Sequence, residues 1–199
     1  MITIQAESNV PTDYGVYKII AFSESDRNWM PHIVLIAKGT DFSKTVNVRI
    51  HSECITGEVF HSQKCECGQQ LDAAMEFMQK NGGVIVYLRQ EGRNIGLINK
   101  LKAYALQEKG LDTVSANLEL GLPADDRDFG IAIDILKILG IKSVNLMTNN
   151  PEKIKIIEKS SEIEFNKRIP LIVESNKNSK EYLDTKKKIF GHLLGREKN

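Results

Sequence analysis

Val84-Ile85-Val86-Tyr87-Leu88-Arg89-Gln90-Glu91-Gly92-Arg93-Asn94-Ile95-Gly96 is the stretch on which the fold turns. Its first five residues are a continuous apolar run of strand length, which predicts a strand covered on both faces. A polar loop with two glycines follows. Leu97, Leu101, Tyr104 and Ala105 then recur at helical spacing up to Gly110, a suitable C′ residue. Strand, polar loop and helix in succession make the basic α/β unit, and such folds place ligands at the ends of their buried parallel strands.

Upstream, Gln69 to Lys80 carries Leu71, Ala74, Met75 and Met78 on one helical stripe, stopped by Gly82-Gly83. Residues 46–51 alternate strictly and predict a half-buried strand with Arg49 and His51 on one face. Residues 33–37 read as a further strand and residues 11–15 as a turn; the first 45 residues are otherwise mixed. Downstream, Asp125 or Asp126 is placed to cap a helix running to Leu139 and ended by Gly140. Ser143–Met147 is a strand, and Asn150-Pro151 sets a capping residue ahead of proline at N1. Residues 169–173 read as a late strand and residues 181–194 as a terminal helix, with Lys186-Lys187-Lys188 on a solvated face. The expectation is an α/β (mixed α+β) fold: one domain over residues 1–199, a mixed sheet flanked by helices, with the chemical motifs within residues 46–194.

Composition removes several classes. The chain has 199 residues, 41% hydrophobic and 27% charged, which is ordinary for a globular domain and unlike a disordered one. Lys+Arg number 27 against Asp+Glu 26, so no general field attracts nucleic acid. No apolar run approaches the roughly 20 residues that cross a bilayer, and the first residues lack the basic and apolar regions of a signal peptide. The expectations are therefore no membrane, no nucleic acid and a cytoplasmic setting. The phosphate loop G-x-x-x-x-G-K-[ST] and the dinucleotide fingerprint G-x-G-x-x-G are both absent.

The three cysteines, Cys54, Cys65 and Cys67, are the only ones in the chain. An odd number argues against a closed set of disulfides, and their clustering marks a site. Thiolates suit zinc, and a helix starting near Gly68 favours the thiolate form. The fourth position falls to His51 or His61, or to water, the latter being the catalytic arrangement. Three thiolates leave a Zn²⁺ site at about −1, against about +2 for three neutral imidazoles, so such a site benefits from an adjacent base. Glu53 and the Asp125-Asp126 pair are candidates. Arg89, Arg93 and the two glycines of the loop suit an anion-binding turn. Thr148-Asn149-Asn150-Pro151-Glu152-Lys153 brings a hydroxyl, amides, a lysine and a helix start to another strand end, a second phosphate-type turn.

Five of these stretches together resemble the GTP cyclohydrolase II family of riboflavin biosynthesis. They are Arg49-Ile50-His51-Ser52-Glu53-Cys54, Cys65-Glu66-Cys67-Gly68, Arg89 to Leu97, Asp125-Asp126-Arg127-Asp128-Phe129, and Thr148-Asn149-Asn150-Pro151. The resemblance runs from about Val46 to Leu194 and is weaker before that. It implies a zinc hydrolase that opens the imidazole ring of GTP, releasing formate from C8 and pyrophosphate with the help of Mg²⁺. It implies Cys54, Cys65 and Cys67 as zinc ligands. It implies GTP contacts at Arg49, Ile50, His51, Ser52, Glu53, Gln70, Glu91, Gly92, Arg93, Thr113, Thr148 and Lys153. Asp125 matches the family's proton acceptor, Arg127 its nucleophile at the α-phosphate, and Tyr104 the tyrosine of the later steps at C8. A homodimer is implied as well. A guanidinium has no free lone pair, so the chemistry itself favours stabilisation of charge by Arg127. Two rivals remain. A zinc nucleobase deaminase would use His51-Ser52-Glu53, but the P-C-x-x-C half of its signature is missing. The other rival is a GTP-binding zinc module without turnover.

Overall fold

The computed structural model describes residues 1–173 and 191–193. The expected terminal helix therefore lies outside the described residues, apart from 191–193, which are in neither helix nor strand. The chain runs β1 (Thr3–Thr12), β2 (Gly15–Ser23), β3 (His32–Ala37), β4 (Val46–Ser52), α1 (Ile55–Glu58), α2 (Cys67–Asn81), β5 (Val84–Leu88), α3 (Gly96–Gln107), α4 (Thr113–Glu119), α5 (Gly130–Ile138), β6 (Ser143–Met147), α6 (Pro151–Glu158) and β7 (Glu164–Ile169). Among the described residues the seven strands form one sheet in the order β1-β2-β3-β5-β4-β6-β7. The first three strands are an antiparallel meander that joins β5, whereas β5, β4, β6 and β7 are mutually parallel. The α/β expectation and the mixed sheet hold.

Apolar side chains face both ways from this sheet. On one side α5 and α6 pack Ile135, Leu136 and Ile157 on Val48, Ile50, Val86, Leu88 and Leu146. On the other, the α2 stripe of Ala74, Met75 and Met78 meets Tyr17, Ile85 and Met147. The Tyr17 hydroxyl donates to the Met75 carbonyl at 2.6 Å, so its polar end is satisfied inside that layer. Truncating a fully buried residue such as Leu136 to alanine costs about 2–5 kcal/mol.

β4 lies between β5 and β6. The chain leaves β4 through α2 on one face to reach β5, and enters β6 from α5 on the other. Opposed crossovers of this kind open a crevice at the carboxyl ends of the strands. Among the described residues no helix is long and apolar enough to cross a membrane.

Four sequence expectations need correction. β4 is not half-buried: Arg49 and His51 are as enclosed as Val48 and Ile50, because α2 and the loops roof their face. Neither Asp125 nor Asp126 caps α5, which starts later, at Gly130; Asp128 accepts from the Gly130 N–H instead, at 2.7 Å. The last strand ends at Ile169 rather than starting there, since Glu164–Ile169 is the segment in register with β6. In α3 the buried residues are Lys100 and Ala103, while Leu101 is exposed; the helix lines the rim of a cleft and does not cover the core. The Asn150 cap is as expected, its side chain accepting from the Glu152 N–H at 2.9 Å.

Candidate active site

Cys54 follows the end of β4, Cys65 ends the next loop and Cys67 opens α2. The segments can approach this closely because two glycines face each other. A Cβ on Gly68 would lie 2.3 Å from the Gly57 carbonyl oxygen, and one on Gly57 would lie 2.8 Å from Cys65 Sγ. The three sulfurs lie within 4.8 Å of one another, with Cys54 and Cys65 at 3.6 Å. That is too far for a disulfide. It fits three sulfurs on a tetrahedral zinc, which sit about 3.8 Å apart when each bond is about 2.3 Å. The cluster is consistent with zinc. Neither histidine completes it: His51 Nε2 lies 2.8 Å from Glu58 Oε1 and His61 is exposed.

Carboxylates and one lysine surround the cluster. Glu58 accepts from the Cys54 N–H at 2.9 Å, from the Tyr87 hydroxyl at 2.5 Å and from His51. Glu91 accepts from the Ile55 N–H at 2.6 Å and from Lys100 Nζ at 2.7 Å. Lys100 Nζ is also 3.0 Å from Cys54 Sγ. Hydrogen bonds from the Cys65 and Cys67 thiols, joined by the Lys100 ammonium, hold the Cys54 thiol far below its ordinary range, while Cys65 and Cys67 are pushed up. Burial works against the Lys100 charge, but Cys54 and Glu91 outweigh it and hold its pKa above the usual lysine value.

The adjoining cleft is cationic. Arg49, His51, Ser52, Gln70, Arg93, Arg127, Thr148 and Lys153 all line it, as do Asn149, Asn150 and His192. Arg49 donates to the Met147 carbonyl at 3.2 Å and to Gln70 Oε1 at 3.0 Å; burial lowers its pKa to about 10, which leaves it charged at neutral pH. Lys153 Nζ donates to the Ile50 carbonyl at 2.9 Å. Gly92, Arg93 and Asn94 all have positive φ, at 62°, 61° and 73°. The left-handed form is awkward for arginine. Here Arg93 is held by its bond to the Ala124 carbonyl and by the Asp126 N–H bonded to its own carbonyl, each at 3.2 Å.

Arg127 donates through Nε to Asp125 Oδ1 at 2.7 Å and through its second arm to Oδ2. Burial raises the Asp125 pKa, but Arg127 overrides it and holds the carboxyl below its ordinary value. The cleft continues into a second part lined by the three cysteines, Glu53, Gly92, Lys100, Tyr104, Thr113 and Asn117; Ser52, Cys67, Arg93 and Arg127 belong to both parts. Burial pushes the Glu53 carboxyl up, partly offset by Arg89 at 3.0 Å. Burial likewise takes the Tyr104 hydroxyl up to about 12.

Two expected contacts point elsewhere. The Ile50 side chain is fully buried in the core and only its carbonyl reaches Lys153. The Glu91 carboxylate is turned inward onto Lys100 and the α1 backbone. Sequence reasoning missed Glu58, Lys100 and Asn117. A lysine on the inner face of α3 between outward Ile98 and Leu101 is an inverted pattern that burial in the fold reveals and spacing alone does not.

Soft sulfur donors at one end of a crevice and forked cations at the other suit a metal-dependent enzyme that acts on a phosphate-bearing substrate. Comparison with known proteins narrows that class. The family model described as GTP cyclohydrolase II matches residues 3–170, so the meander is part of the match, and the chain belongs to that family. It is 47% identical over 194 residues to the GTP cyclohydrolase-2 of Histophilus somni strain 2336, covering 97% of this chain and 89% of that one. The GTP cyclohydrolase-2 of Campylobacter fetus is 48% identical over 187 residues, with 94% and 93% covered. The riboflavin biosynthesis protein RibBA of Staphylococcus saprophyticus is 52% identical over 190 residues; 96% of this chain is covered, but the chain spans only 47% of that relative. Among solved structures, RibBX of A. baumannii, a two-domain 3,4-dihydroxy-2-butanone 4-phosphate synthase, shares the fold. Its TM-score is 0.51 at 16% identity, over 84% of this chain and 40% of that one.

Proposed function

We propose that this enzyme opens the imidazole ring of GTP, releasing formate and pyrophosphate and leaving a diaminopyrimidinone ribosylamine phosphate for riboflavin synthesis. The observation that carries the reading is the continuity of the two parts of the cleft: Ser52, Cys67, Arg93 and Arg127 line both, so one nucleotide spans cations and sulfurs. In support, Arg49 Nε and Ser52 Oγ are buried without a protein partner, as expected of groups that serve a polar ligand.

In this reading Cys54, Cys65 and Cys67 would hold zinc, which would supply Lewis acidity for the hydrolytic chemistry at C8. Arg49, Arg93, Arg127 and Lys153 take the triphosphate together with Mg²⁺, offsetting charge on the departing pyrophosphate. His51, Ser52, Gln70, Thr113 and Thr148 orient the nucleotide, the backbone at Ile50 and Gly92 shapes the wall, and Glu91 acts from behind it. Glu53 is the carboxylate beside the sulfurs and is suited to moving a proton. Tyr104, neutral at physiological pH, donates its hydroxyl toward C8. Arg127 is bound through two arms to Asp125, and a guanidinium has no free lone pair to attack with, so it acts by stabilising charge at the α-phosphate. Asp125 fixes its orientation. A homodimer and a cytoplasmic setting complete the proposal; the reducing cytoplasm suits a trio of free thiols.

The test is incubation of the protein with GTP, Mg²⁺ and zinc, followed by assay of formate and pyrophosphate. Both products are expected, and each of Cys54→Ser, Cys65→Ser and Cys67→Ser is expected to lose formate release while staying folded. Ammonia in place of formate would favour the deaminase, and GTP recovered unchanged would leave a binding module.

A further inference from the structure

Lys100 is 8% exposed, yet it extends from a helix whose apolar Ile98 and Leu101 face solvent at 73% and 51%. Packing alone would place the residues the other way round, because a buried ammonium is unfavourable unless it is closely paired. Its pairing is specific. Nζ lies 3.0 Å from Cys54 Sγ and 2.7 Å from Glu91 Oε1, and the other oxygen of Glu91 takes the Ile55 N–H at 2.6 Å. Ile55 is bonded to Cys54, so these contacts close a ring: Glu91 pins the backbone beside Cys54 and, through Lys100, pins its sulfur.

We propose that Lys100 is an outer-sphere partner of the metal-ligating Cys54, a positioning residue anchored by Glu91, whose ammonium aims the sulfur and withdraws electron density from it. The proposal rests on the zinc reading above and extends it. Partners one shell out orient a ligand and tune the metal, and their loss commonly costs about 10–100-fold in metal affinity or activity. Donation to a thiolate also weakens the charge that the sulfur passes to the metal, which offsets the excess negative charge of a three-thiolate site.

Cobalt-substituted protein tests this, because thiolate-to-cobalt charge-transfer absorption reports the electron density on the ligating sulfurs. Wild type, Lys100→Met and Lys100→Arg are compared, together with kcat and KM for GTP on the zinc forms. In Lys100→Met the band is expected to move to longer wavelength with cobalt still bound, and kcat to fall about 10–100-fold. KM is expected to stay within about twofold, as for a group that does not touch substrate. Lys100→Arg, which keeps the charge and the donors, is expected to bring the band most of the way back. A band at the wild-type wavelength in cobalt-loaded Lys100→Met overturns the proposal, as does a rise in KM without a band shift, which would make Lys100 a substrate contact. Should Lys100→Met fail to fold, Lys100→Gln gives the same readout; failure of both to fold makes Lys100 a folding residue and also overturns it. A wild-type protein with no charge-transfer band would refute the metal site itself, a separate failure seen before any variant is compared.

Discussion

Replacing Gly68 by alanine adds one methyl group where two backbones meet. Its Cβ would lie 2.3 Å from the Gly57 carbonyl oxygen and 3.1 Å from the carbonyl carbon. Backbone atoms cannot swing aside as a flexible side chain can, so restoring ordinary contact moves α1 from α2 by about 1 Å. Cys54 directly precedes α1, whereas Cys67 and Gly68 open α2, so this displacement separates the sulfurs. It is about twice the roughly 0.5 Å within which a functional constellation must be held. We expect Gly68→Ala to lose zinc affinity by at least about tenfold, or about 1.4 kcal/mol. Overpacking is expected to lower global stability by about 1–3 kcal/mol. Competition against a chromophoric chelator gives the affinity, and urea unfolding gives the stability. Gly57→Ala is expected to do the same by a different route, since its Cβ meets Cys65 Sγ at 2.8 Å and Cys54 Sγ at 3.3 Å. Wild-type zinc affinity in Gly68→Ala would refute the argument that backbone approach sets the sulfur spacing.

Other expectations separate the parts of the site. Tyr104→Phe keeps the ring and removes the hydroxyl, so pyrophosphate should still appear while formate release falls sharply; formate at the wild-type rate would return Tyr104 to a packing role. Arg127→Ala should lose both products if chemistry at phosphorus comes first, and isolated loss of formate would contradict that order. Glu58→Gln puts an amide donor among three donors, from Cys54, His51 and Tyr87, and should cost about 1–3 kcal/mol in urea unfolding; an unchanged midpoint would show the network to be dispensable. Burial, and Arg49 nearby, hold the His51 pKa below its usual value despite Glu58. Its contribution to stability is therefore in place above about pH 6.5 and is lost as pH falls through the lower folded value. A urea midpoint that falls as steeply below that pH in His51→Asn as in wild type would remove His51 from the account.

The parts of the fold with one clear period were legible from residues alone. Val84–Leu88, Ser143–Met147 and the Asn150-Pro151 cap lie where local pattern put them, because burial and capping there depend on neighbours in sequence. The α2 stripe was legible for the same reason. β1 and β2 were not, since β1 is exposed along most of its length and shows no alternation to read. α4 also went unread, although Asp112 caps it through the Val114 and Ser115 N–H groups. The cysteine trio and the basic loops were visible as motifs. What surrounds them was not, because Glu58, Lys100 and Gly57 matter through contacts that only the tertiary fold creates. Polar residues on β4 and α3 misled the reading in the same way: alternation marks Arg49 as outward, but a roofed cleft makes that face an interior.

The β1–β3 meander supplies none of the residues that line the cleft, and in the sheet it covers the edge that β5 would otherwise leave bare. Its outermost strand stands four places from β4, roughly 19 Å away at the usual strand spacing. Chemistry and edge protection are thus assigned to different halves of one sheet, which meet where Tyr17 bonds to α2 and His32 of β3 takes the Arg89 N–H. In the turn between β1 and β2, exposed Asp13 is a natural attachment point for a fused reporter or affinity module, whereas Tyr14 beside it packs on the α2 layer. A cargo placed there hangs from the margin of the sheet, leaving the mouth of the crevice open to nucleotide.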